Sequence, residues 1–273
     1  MLREGKRPVY FSQVLDRIIQ ILDCFTEQDL ELSFTDLVNQ LELNRSTLYR
    51  LLEAMRSYRL IELDRSNGKY HLGIKLFELG SLSIRRFDIN RYAGPFLEML
   101  VKQTGETAHL CVLDGSDVLY IAKVESNQAL RIPSSVGRKN PAYCTGVGKA
   151  ILAHLSEEEL QAYLAQTELK AFTKRTLVAP ADLKKDLRLT RSRGYSVDNE
   201  EITENTRCIG APIRDHSGQV IAAISIAGPS FRITKEKVPL LAAYVMEAAD
   251  AISMRAGYRR SSISVVGGSV AIK

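Results

Sequence analysis

No pair of cysteines in the chain is spaced C-x-x-C, and the four histidines show no metal-ligand spacing. Cys24, Cys111, Cys144 and Cys208 are widely scattered, each among apolar neighbours. Neither a zinc site nor a disulfide framework is signalled, and each cysteine reads as a small buried residue. No uninterrupted apolar run approaches the roughly 18 residues that a membrane span needs. The polar start, Met1-Leu-Arg-Glu-Gly-Lys-Arg-Pro8, lacks the apolar core of an export signal. A soluble, cytoplasmic protein with no membrane partner is expected. H-E-x-x-H, G-x-S-x-G and G-x-G-x-x-G are absent as well. Gly146-Val-Gly148-Lys149 looks like part of a phosphate loop but lacks the upstream glycine and the hydroxyl residue after the lysine. No metal, cofactor or catalytic residue is expected.

What is present is ordinary globular material: 273 residues, 45% hydrophobic and 25% charged, enough for one or two domains. Lys+Arg 37 against Asp+Glu 32 gives +5, a balance that permits a polyanionic partner without establishing one.

Val14, Ile18, Ile21, Leu22 and Phe25 recur at helical spacing, so a first helix is read within residues 11–27. Leu32-Ser33-Phe34-Thr35-Asp36-Leu37 reads as a helix start, with Ser33 as cap, Asp36 answering it and Leu32 stapling to Leu37. A short second helix then ends near Leu41, and Asn44 can cap a third that carries Leu48, Leu51, Leu52 and Met55. Two strand-like runs, residues 60–63 and 69–72, flank the strong turn pair Asn67-Gly68. Three helices and a hairpin make a winged helix-turn-helix over residues 11–73, the helix-turn-helix itself at about 33–52. Residues 74–88 form a linking helix with Leu76, Leu79 and Leu82 on one face. Residues 89–257 then alternate helices with hairpin strands, an α+β domain with an antiparallel sheet. Extended runs are expected there at residues 107–113, 118–124, 130–136, 195–198, 208–214 and 220–227, with a closing helix over 234–256. The Ser/Gly-rich residues 258–273 read as a mobile tail.

Arg45, Ser46, Tyr49 and Arg50 fall on the solvent side of the third helix, with Thr47 in its first turn. Hydroxyls and free amides at a helix start suit phosphate, while arginine and tyrosine have the reach to read base edges in a major groove. Arg65 and Lys69 on the wing can reach adjacent backbone. The charge is localised: residues 44–75 hold seven Lys/Arg against three Asp/Glu, whereas residues 1–86 hold 13 against 12. Sequence-specific binding of duplex DNA is expected.

The chain resembles the IclR family of bacterial transcription regulators, and within it the branch that responds to 2-keto-3-deoxygluconate. The resemblance runs from about Val14 to Gly257. It rests on Arg45-Ser-Thr-Leu-Tyr-Arg-Leu-Leu52, Gly68-Lys-Tyr-His-Leu-Gly73, Val136-Gly137 through Pro141 to Gly148-Lys-Ala150, Gly194-Tyr195 through Asp198-Asn-Glu-Glu201, Arg207-Cys208-Ile209, and Ala223-Ile-Ser225 to Gly228-Pro229. It implies a winged helix joined by a linker helix to a GAF-like effector domain, in homodimers or dimers of dimers on palindromic operator DNA, more often repressing than activating. It also implies an effector pocket for a small organic acid. The backbone amides of Gly146 and Val147 would hold the ligand carboxylate, with Asp198, Cys208 and Ser225 on the facing strands. The family often has a second serine two residues after Ser225, where this chain has Ala227. An alternative is an enzyme on the same kind of fold using Cys208 as nucleophile with Asp198 and a histidine, although no histidine lies in a recognisable motif with either.

Overall fold

The computed structural model describes residues 12–26, 28–85, 89–130, 132 and 134–259. The chain divides into two units, residues 1–87 and 88–273. Residues 86–88 of the expected linker and 260–273 of the expected tail lie outside the described residues.

The first unit holds α1 (Gln13–Asp23), β1 (Leu32–Ser33), α2 (Phe34–Gln40), α3 (Arg45–Ser57), β2 (Ile61–Asp64), β3 (Lys69–Leu72) and α4 (Ile74–Arg85). Ser33 and Asp36 form the expected capping box. The Ser33 hydroxyl accepts the Asp36 N–H at 3.2 Å, and the Asp36 carboxylate accepts the Ser33 N–H at 2.8 Å. Asn44 behaves otherwise: its side chain makes no capping bond to α3, so the first-turn amides of that helix keep no side-chain acceptor. Ile21, Leu37, Leu48, Leu52, Met55 and Ile61 close the core of the unit. The wing turn is set by side chains, with Asp64 accepting the Ser66 N–H at 2.8 Å and Asn67 accepting the Lys69 N–H at 2.9 Å. One strand was not legible in the sequence. Leu32 and Ser33 pair antiparallel with Tyr70 and Lys69, adding a third strand to the hairpin in the order β1-β3-β2.

The second unit is built on α5 (Ile89–Thr104), β4 (Thr107–Asp114), β5 (Asp117–Val124), β6 (Lys139–Pro141), α6 (Gly146–Leu152), α7 (Glu157–Gln166), α8 (Pro180–Arg193), β7 (Ser196–Asn199), β8 (Thr206–Arg214), β9 (Val220–Pro229) and α9 (Val238–Arg255). Six antiparallel strands run in the order β6-β5-β4-β9-β8-β7, which leaves β7 at an edge. Cys208, Gly210, Ser225 and Ala227 point to one face, and α6 lies on it so closely that a Cβ on Gly146 would come within 3.2 Å of Cys208 Cβ. Ile209, Ala211, Ile224 and Ile226 alternate to the other face, all buried, where α5 and α9 pack. Two extents differ from expectation. The described residues of the run 130–136 form no strand, and pairing begins only at Lys139, after a turn with Gly137 at φ 87°. The closing helix starts at Val238 because Thr234 to Lys237 form turns, the Lys237 N–H bonding the Thr234 carbonyl at 3.1 Å. Among the described residues, no helix is long and apolar enough to cross a membrane.

Candidate functional site

In the first unit the candidate contacts gather on α3 and the wing. Arg45, Ser46, Tyr49 and Arg50 are exposed, Thr47 is half-buried, Arg65 is exposed at the wing tip and Lys69 is half-buried beside it. The seven basic residues between 44 and 75 fall into two sets. Arg56 pairs with Glu53, and Arg59 and Lys75 pair with Glu78. Arg45, Arg50, Arg65 and Lys69 have no acidic partner within ion-pair distance among the described residues. The charge not spent inside the fold is the charge on the outer side of α3 and on the wing. Arg45 also lies over the Phe34 ring at 5.5 Å, which ties α3 to α2. Arg17 of α1, to which the sequence assigned no role, shares a groove with Thr47 and Arg50. Helical periodicity marked the apolar positions of α1, one of which, Val14, lies exposed in the same groove, and gave Arg17 no role.

In the second unit, α6 and the sheet bring Gly146, Asp198, Cys208 and Ser225 to the same face. Asp198 pairs in register with Cys208, and Gly210 with Ser225, one step further along the strands. The α6 ladder leaves the amides of Gly146 and Val147 without an intrahelical acceptor, while Thr145 Oγ1 takes the Gly148 N–H at 3.2 Å. Ser196 donates to the Gly146 carbonyl and straps the helix start to the sheet. His109 occupies the same face in register with Ser225, its Nε2 at 2.8 Å from Ser134 Oγ.

Asp198 is not part of a solvated acidic run: it is fully buried. Its Oδ1 accepts the Glu201 N–H at 2.7 Å, and its Oδ2 has no partner among the described residues. Burial, with the Glu201 carboxylate beside it, pushes Asp198 up to about 7. Lys149 of α6 is also fully buried, donating to the Val197 carbonyl at 2.6 Å and to Glu201, and ion-paired with Asp186 at 2.9 Å. Burial alone would push its ammonium down. The carboxylates of Glu201 and Asp186 outweigh that and hold it above the usual lysine value. Lys149 and Glu201 stood inside the quoted segments Gly148-Lys-Ala150 and Asp198-Asn-Glu-Glu201, but nothing local said that they meet.

These shifts give a pH dependence of known sign. Between 3.8 and about 7 the folded chain holds a proton on Asp198 that the unfolded chain has released, so this stabilisation is present at the acid end and lost as pH rises. His109, held down to about 3 by burial, acts oppositely and costs stability as pH falls below 6.5. Comparison with Asp198→Asn isolates the aspartate. The melting temperature of the variant relative to wild type should rise between about pH 5.5 and about pH 7.5. Parallel profiles would mean that Asp198 is ionised throughout.

Cys208 lies against Gly146 and next to Asp198, and burial followed by that carboxylate pushes its thiol well above the usual value. An activated nucleophile needs the opposite shift, so the geometry gives the enzyme alternative no support.

Family models match both units: the IclR helix-turn-helix domain over residues 14–65, and the bacterial transcriptional regulator IclR C-terminal domain over residues 81–254. The chain belongs to the IclR family. Similar proteins include the HTH-type transcriptional regulator XynR of Escherichia coli K12, 37% identical over 246 residues that cover 90% of this chain and 98% of that protein. The HTH-type transcriptional regulator KdgR of the same organism is 36% identical over 253 residues, 93% of this chain and 95% of that protein. Among solved structures, an IclR homologue from Microbacterium hydrocarbonoxydans complexed with 4-hydroxybenzoate aligns with a TM-score of 0.78 at 26% identity, over 89% of this chain and 98% of that one. The protein is thus an HTH-type transcriptional regulator, with a DNA-binding unit and an effector-domain unit on one IclR chain.

Proposed function

We propose that this IclR-family regulator is an operator-binding repressor controlled by a small carboxylate metabolite such as a sugar acid. The observation that carries the DNA contact is the division of charge on residues 44–75. Arg45, Arg50, Arg65 and Lys69 remain free for an external polyanion while their neighbours are paired inside the fold. The uncapped start of α3, with Ser46 and Thr47, suits phosphate, while Arg45, Tyr49 and Arg50 read base edges. Replacing Arg50 with Ala should cost about 1–3 kcal/mol of specific binding in fluorescence anisotropy, whereas Arg56→Ala, already paired with Glu53, should cost far less. Equal losses would remove the distinction on which the reading rests.

The protein acts as a homodimer or a dimer of dimers. On α4, Leu79 and Leu82 of the expected face are 47% and 60% exposed, with Leu76 half-buried beside them, an apolar stripe that a second copy would cover.

Gly146 and Val147 would bind the ligand carboxylate, and Asp198, Cys208 and Ser225 would meet its remaining polar groups. Support comes from Asp198 itself, a fully buried carboxyl whose Oδ2 lacks a partner among the described residues. The Microbacterium homologue holds a carboxylate ligand, 4-hydroxybenzoate. Sugar acids are favoured here by the resemblance to the 2-keto-3-deoxygluconate-responsive branch, with Ala227 in place of one family serine. Calorimetry with a panel of 2-oxo sugar acids should give saturable heat that Asp198→Ala abolishes. Heat only with aromatic acids would change the ligand class, and sugar-acid binding unaffected by Asp198→Ala and Ser225→Ala would move the pocket.

A further inference from the structure

A cleft of about 530 Å³ runs along β7, the edge strand, lined there by Val197 and Asn199, whose side chains alternate with that of Asp198. Four cations border it: Arg175 ahead of α8, Arg193 at the end of α8, Arg207 on β8 and Lys235 ahead of α9. Two carboxylates border it too, but Asp186 and Glu201 are both paired with the buried Lys149. Arg207 is spent on the fold, donating to Asn199 and to the carbonyls of Ser230 and Ile233.

The other three keep donors to spare. Arg193 donates through Nε to the Tyr195 carbonyl at 2.6 Å, but its Nη2 is buried with no partner among the described residues. A buried guanidinium nitrogen without an acceptor is costly, and folded proteins seldom leave one. Lys235 is exposed and has no acidic partner within ion-pair distance among the described residues. Arg175 is half exposed and donates to Glu200 at 3.2 Å and to Asn199 Oδ1 at 3.5 Å, both of which it shares with Arg207. Counting Lys149, Glu200 and Glu236, which feels the charges of Lys235 and Arg207, five cations surround this edge against four carboxylates, an excess of one positive charge.

We propose that this cleft is a second ligand site that takes a small, multiply charged oxyanion, with Arg193 Nη2, Arg175 and Lys235 as its donors. The volume suits a metabolite rather than a polymer, and donors on three separate segments favour a di- or trianion over a simple monocarboxylate. Binding here does not depend on the effector reading. The two sites are nevertheless physically joined, because Glu201, at the floor of the cleft, donates its N–H to Asp198, and Lys149 reaches it from α6.

Calorimetry on the full chain tests this, with pyrophosphate and citrate as probes and ionic strength held constant with sodium chloride. Saturable binding of at least one is expected, and the preferred probe distinguishes a phosphorylated ligand from a polycarboxylate. Arg193→Gln should weaken it about tenfold, and Arg175→Ala and Lys235→Ala should each weaken it severalfold. Arg188→Ala, on an exposed part of α8 outside the cleft, should leave it unchanged. Arg175 and Lys235 reach solvent, so their variants keep the test valid if Arg193→Gln fails to fold. No saturable heat with either probe, or binding that survives the Arg175→Ala/Lys235→Ala double variant unchanged, overturns the proposal.

Discussion

Lys149→Met should destabilise the second unit by about 3–5 kcal/mol, the cost of breaking a buried ion pair from one side. The ammonium is fully buried, and its removal leaves Glu201 and Asp186 facing one another without their shared cation. Only the Asn199 N–H, at 3.3 Å from Glu201 Oε1, would remain to it, and the other Glu201 oxygen has no partner among the described residues. Burial already pushes the Glu201 carboxyl up, so protonation there caps the loss and makes it smaller at acid pH. Adding Glu201→Gln to Lys149→Met should recover part of the stability, because the second change removes a stranded charge. Calorimetric unfolding of the single and double variants checks both statements. A loss below about 1 kcal/mol would mean that water reaches these carboxylates and that the network is not buried as described.

Gly148→Ala should cost about 3 kcal/mol or more, although alanine is the better helix former. A Cβ at Gly148 would lie 2.1 Å from the Ala142 carbonyl oxygen, a backbone atom that cannot turn aside. Relief requires α6 to move off the residues before it, and with it the Gly146 carbonyl that Ser196 holds to the sheet. The same substitution at Gly80 of α4, where a Cβ meets nothing within 4 Å and no proline follows, should instead stabilise by about 0.5–1 kcal/mol. Opposite signs for one chemical change in one chain separate packing from propensity. Similar small effects at the two positions would contradict the close seating of α6.

Local patterns carried most of the first unit. Leu48, Leu52 and Met55 are the apolar positions of a helical repeat and are the buried residues of α3. Ser33 and Asp36 form a capping box because both partners lie within one turn. What escaped were contacts between distant residues. Leu32 and Ser33 form a strand only because Tyr70 and Lys69 come to lie opposite them, and two residues carry no period. Residues 130–136 have extended-looking chemistry, but the sheet pairs β5 with Lys139–Pro141 instead. The second unit's site was legible as segments and not as a network. Lys149 and Glu201 lie in separate segments and Asp186 in neither, and only the packing of α6 and α8 beside β7 gathers the two carboxylates around one buried ammonium. Asp198 was named through family resemblance, whereas its burial and its unpartnered oxygen became visible only in the fold.

The free cations of α3 and the wing are proposed to read an operator. Quantitative footprinting of the full-length protein on the DNA upstream of its own gene, repeated across a salt series, should show two protected half-sites related by twofold symmetry, about one helical turn or a multiple of it apart. Affinity should fall steeply as salt rises, and Arg50→Ala should abolish discrimination against competitor DNA before it abolishes binding. Protection that is uniform along the fragment, or a salt slope and specificity unchanged by Arg50→Ala, would contradict this reading.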